Sequence, residues 1–74
     1  MTIRIGDIVV STYRARWTGV VLGRACDMTP PLSTYAHVMV VRMIRDRNGN
    51  PPRKPMSARH VHVLDQAYLR NVAP

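Results

Sequence analysis

Apolar residues along this chain come in short runs broken by turn formers, the rhythm of strands rather than of helices. Ile8-Val9-Val10-Ser11-Thr12 is rich in β-branched residues and follows the turn pair Gly6-Asp7, which predicts a first strand from about Ile5 to Thr12. Tyr13-Arg14-Ala15-Arg16-Trp17 interrupts the apolar pattern with cations and rings and reads as a loop. Gly19-Val20-Val21-Leu22-Gly23 predicts a second strand whose bounding glycines let it bend or let another backbone come close. Asp27 to Thr34 carries Pro30 and Pro31 among turn formers and is a loop.

Tyr35 to Ile44 is the longest apolar segment, and periodicity alone leaves it open between helix and strand. Its β-branched residues and the Asn48-Gly49 signal beyond it favour a strand entering a hairpin. Arg45 to Pro55 is polar, cationic and proline-rich, which predicts an exposed tip wider than a two-residue hairpin. Arg59-His60-Val61-His62-Val63-Leu64 alternates at period two, placing Val61 and Val63 on one face and predicting His60 and His62 on the outer face of a half-buried strand. Asp65 caps a single helical turn through Leu69, and Arg70-Asn71-Val72 closes a last short strand. The expected fold is all-β: one domain over residues 1–74, five short strands in a small open barrel, with one helical turn near the C-terminus.

A chain of 74 residues supports one thin core, because domains this short bury only about 60–65% of the surface of the unfolded chain. A deep catalytic cleft within a monomer is not expected, and any such cavity would lie between copies. With no Phe and one Trp, the core must come mainly from Val, Ile, Leu and Met. No apolar run approaches the roughly 20 residues of a membrane span, and Met1-Thr2-Ile3-Arg4 lacks a secretory apolar stretch, so the expectation is a cytoplasmic protein without membrane association. Cys26 is the only cysteine, which excludes an intramolecular disulfide and a four-cysteine zinc site.

Charge changes the picture most. Lys and Arg number 11 against 4 acids, a net charge of +7, and every cation except Lys54 is arginine. Guanidinium presents a planar fork suited to phosphate and a flat face suited to stacking. Such a field draws phosphate polyanions and acidic protein surfaces.

Gly6-Asp7-Ile8-Val9, followed by Trp17-Thr18-Gly19-Val20-Val21-Leu22-Gly23, resembles the opening of SH3-like barrels and in particular the KOW motif of transcription and ribosome-associated proteins. Gly6, Asp7, Val9, Ala15, Trp17, Gly19 and Gly23, then Cys26, Thr29-Pro30, Tyr35-Ala36, Ala67 and Leu69, are similar to plasmid-borne type II dihydrofolate reductases, which are also SH3-like barrels. That resemblance implies a shared architecture. The family places a Val-Gln-Ile-Tyr segment at the centre of a tetrameric pore that binds folate and nicotinamide, whereas this chain has Val61-His62-Val63-Leu64. The family's lysine near the end of the first strand falls at Ser11.

Two arginine clusters are the candidate binding residues. Arg14, Arg16 and Arg24 lie in or beside the loop carrying Tyr13 and Trp17, a composition that suits single-stranded nucleic acid, with rings stacking on bases and arginines tracking phosphates. Trp17 is also the only large ring available to the core, and that reading competes with stacking. Arg42, Arg45, Arg47, Arg53 and Lys54 surround the hairpin tip as a cationic finger. His37, His60 and His62 make a poor metal set because only His60 and His62 share a strand face, and neither paired carboxylates nor a phosphate-binding glycine loop is present. No catalytic residue, metal or cofactor is expected.

The function expected is therefore a basic module binding RNA or DNA, or an acidic protein surface such as a polymerase, as in a transcription or translation regulator of the phage type. The alternatives are a tetrameric reductase of the type II dihydrofolate reductase kind, its pore lined by His62 and Leu64, and a structural protein that oligomerises through exposed strand edges.

Overall fold

A computed structural model describes residues 3–52 and 60–72. The Gly6-Asp7 pair makes the turn its chemistry suggests. Gly6 adopts a φ of 89°, the Asp7 amide donates to the Arg4 carbonyl at 3.1 Å, and the Arg4 amide donates to Asp7 Oδ2 at 2.8 Å. This turn occupies the start of the expected first strand, so β1 is shorter than expected and runs Ile8–Ser11. The following strands are β2 (Trp17–Arg24), β3 (Val38–Arg45), β4 (Val61–Asp65) and β5 (Leu69–Asn71).

All pairings are antiparallel, in the order β4-β3-β2-β1-β5. A 3-10 turn at Gln66–Tyr68 carries the chain between the two edge strands, β4 and β5. The result is a small, β-barrel-like five-stranded sheet with no α-helix among the described residues. Asp65 caps that turn as expected, its Oδ1 accepting from the Ala67 amide at 2.9 Å. A second 3-10 turn, Ala25–Asp27, was not foreseen.

β2 is longer than its bounding glycines suggested, because they lie within it. A Cβ on Gly19 would sit 2.6 Å from Val41 Cγ1, 2.8 Å from the Arg42 carbonyl oxygen and 2.8 Å from Trp17 Cζ3. The glycine thus allows β3 and the indole to close over the same point. The core below holds Ile3, Val9, Trp17, Val21, Met39, Val41, Leu64 and Leu69, with Met43 packed against it. It is the Val, Ile, Leu and Met core expected, with the indole added. Burial of each large side chain of this kind contributes roughly 1.5–3 kcal/mol.

One face assignment is reversed. The period-two alternation of β4 holds, but Val61 and Val63 are 38% and 43% exposed while Leu64 is only 8% exposed. Leu64 shares parity with His62 and His60, and burying the leucine carries the histidines inward. His62 then meets Trp17 ring to ring at 4.6 Å.

Candidate nucleic-acid interface

The two cationic loops meet at one end of the sheet because β2 and β3 pair there, with Thr18 opposite Arg45. The chain enters β2 through residues 12–16, where the Ala15 amide donates to the Tyr13 carbonyl at 2.7 Å across Arg14, whose φ is 63°. A three-residue turn with a positive φ at its centre is the rarer of the two γ-turn forms. It leaves β3 through a tip closed on Asp46. The Asp46 amide donates to the Asn50 carbonyl at 2.8 Å, and the Asp46 carbonyl accepts from the Gly49 amide at 3.0 Å. Asp46 Oδ1 accepts from the amides of Asn48 and Asn50 at 2.9 and 3.0 Å. The expected Asn48-Gly49 turn is therefore present, with Gly49 at a φ of 81°.

Between these loops lies an open groove of about 340 Å³, lined by Ala15, Arg16, Trp17, Met43, Asp46, Arg47 and Asn48. Arg16 comes from the first arginine cluster and Arg47 from the second. Neither guanidinium is ion-paired or hydrogen-bonded among the described residues. Arg45 is not in the lining; it donates to the Gly49 carbonyl at 3.0 Å, which stiffens the tip. The single carboxylate in the lining, Asp46, is occupied by two amides of its own turn.

The other candidate residues are dispersed. Arg24 is at the far end of β2, about 23 Å from Trp17 at the usual strand rise. There it shares a second open cavity of about 520 Å³ with Arg4 and Asp27. Arg4 belongs to the Gly6-Asp7 turn and lies outside both arginine clusters of the sequence. Arg42 lies mid-strand on the outer face, opposite Val20 and Val61. Arg53 and Lys54 lie outside the described residues.

The aromatic half of the expected interface is changed. Trp17 is 8% exposed and belongs to the core. Tyr13 meets Tyr68 edge-on at 5.0 Å, and the Arg14 guanidinium sits 5.3 Å from the Tyr13 ring centroid. Trp17 is thus withdrawn from stacking, while Tyr13, 38% exposed, carries an edge contact to Tyr68 and the Arg14 guanidinium near its ring.

No protein-family model, curated protein or solved structure matches this chain.

The residues that mattered to the reductase reading face inward. Leu64 is buried, and Ser11 is wholly buried with its Oγ accepting from the Tyr13 amide at 3.2 Å. Burial lowers the pKa of His62 below the ordinary imidazole value, and the charge of nearby His60 lowers it further. His37 belongs to a different place, 3.3 Å from Asp65 Oδ2. No group of three or more potential metal ligands forms among the described residues, and no helix is long and apolar enough to cross a membrane.

Proposed function

We propose that this protein is a basic binding module of the SH3-like, KOW-like kind that grips the phosphate backbone of RNA or DNA, as a regulator acting on transcription or translation complexes would. The observation that carries the reading is the groove in which Arg16 and Arg47 face a common space from two different loops, with no carboxylate partner for either guanidinium among the described residues. Paired forks of this kind neutralise successive phosphates and release counterions, so the affinity falls steeply with salt. Because Trp17, the one ring in the groove lining, is buried, the contact in the groove is with sugar-phosphate rather than with bases.

The test is a titration of a fluorescent single-stranded oligonucleotide and an abasic strand of equal length at low salt. The two should bind alike, within about threefold, since stacking contributes roughly 1–3 kcal/mol per base where it operates. A strong preference for the base-bearing strand would refute backbone recognition, and no binding to either would refute the nucleic-acid reading.

A further inference from the structure

The second cavity, at the end of β2 away from the groove, has a volume of about 520 Å³, within the range of small-molecule sites. Its lining includes the core side chains Ile3 and Met39, which are 7% and 1% exposed. Ile5 joins them and is 72% exposed, the highest value among the large apolar side chains described. Arg4, Arg24 and Asp27 complete the lining. Each of these charges stands on backbone that is already held. The Arg4 amide donates to Asp7 Oδ2 and its carbonyl accepts from the Asp7 amide. Arg24 pairs with Met39 where β2 meets β3. Asp27 ends the 3-10 turn whose Ala25 carbonyl accepts from the amides of Met28 and Leu32 at 3.3 and 3.0 Å.

The three charges share one space without neutralising one another. Among the described residues neither guanidinium is ion-paired, and Asp27 has no ion pair either, its Oδ1 accepting only a long contact from Cys26 Sγ at 3.8 Å. Exposed charges gain little from closing on each other, so both signs stay open to a ligand. We infer that this cavity binds a free α-amino acid with an apolar side chain. Its carboxylate lies on the forks of Arg4 and Arg24, its ammonium on Asp27, and its side chain over Ile3, Ile5 and Met39. Charge complementarity selects this class. A simple anion or a phosphate strand would meet Asp27 as a like charge, and an uncharged apolar molecule would cover guanidinium and carboxylate without giving them partners. This inference is independent of the groove, which lies at the opposite end of β2.

The probe is L-leucine, titrated into the full chain with amide shifts followed by NMR. It should move the amides of Arg4, Arg24, Asp27 and Met39 along one saturable curve. 4-Methylpentanoate, which is leucine without its ammonium, should bind about tenfold more weakly, and so should glycine, which lacks the apolar side chain. Asp27→Asn should erase the preference for leucine over 4-methylpentanoate, and Arg24→Ala should weaken both ligands. The ligand series needs no variant, which keeps the test sound should either substitution disturb the fold. The inference is overturned if leucine gives no saturable shift up to its solubility limit or shifts only groove residues. It is also overturned if 4-methylpentanoate binds as well as leucine, which would make this a site for simple anions, or if glycine binds as well, which would leave the apolar lining without a role.

Discussion

The His62 ring lies 4.6 Å from the Trp17 ring, centroid to centroid, with 33° between their planes. The pairing links the strand beside the hairpin tip to the first residue of β2, so the floor of the basic groove depends on an imidazole that burial keeps toward its neutral form.

A pH dependence follows. The folded-state pKa of His62 is lowered, so the unfolded chain binds the proton more tightly. This histidine therefore costs no stability above the unfolded value of about 6.5, and stability is lost as pH falls below it, levelling off under the folded value. Urea midpoints should drop between pH 7.5 and 5.5, and His62→Gln should flatten that drop. An unchanged pH profile in the variant would contradict the assignment.

Gly19→Ala should lower the unfolding free energy by about 1–3 kcal/mol, as overpacking of a closed site does. The added Cβ meets Val41, the Arg42 carbonyl and the Trp17 ring at once. Gly49→Ala meets nothing within 4 Å but keeps a φ of 81°, so its cost is that of a left-handed residue alone, about 1–2 kcal/mol. Thermal melts of the two variants separate packing from backbone strain.

Asp46 has two separable roles, as an acceptor that closes the tip and as a negative charge beside Arg16 and Arg47. Asp46→Asn keeps an acceptor oxygen and should tighten oligonucleotide binding severalfold at low salt. Asp46→Ala removes the two side-chain bonds of the turn and should lower thermal stability, a loss of about 0.5–1.5 kcal/mol per hydrogen bond. Equal affinities for wild type and Asp46→Asn would place the phosphates elsewhere.

Much of this architecture was legible in the residues. Gly6-Asp7, Asn48-Gly49 and Asp65 carry local chemistry that fixes a turn whatever surrounds it, and all three occur where expected. The face of β4 was not legible, because alternation gives parity and not side; Leu64 decided it by entering the core, against two valines. The fate of Trp17 depended on Gly19 admitting the indole beneath β3, a tertiary contact that no window of sequence displays. For the same reason proximity in sequence misplaced Arg24, which an eight-residue strand carries to the opposite end of the sheet.

The central claim is that Arg16 and Arg47 form one phosphate-binding pair, and the slope of log affinity against log salt for a single-stranded oligonucleotide tests it most directly. Each phosphate contact contributes about 0.7 to that slope on single strands. R16A/R47A should therefore flatten it by about 1.4 relative to the wild type, while Arg24→Ala leaves it close to unchanged. Equal slopes for wild type and R16A/R47A, or a larger loss in Arg24→Ala, would contradict the account.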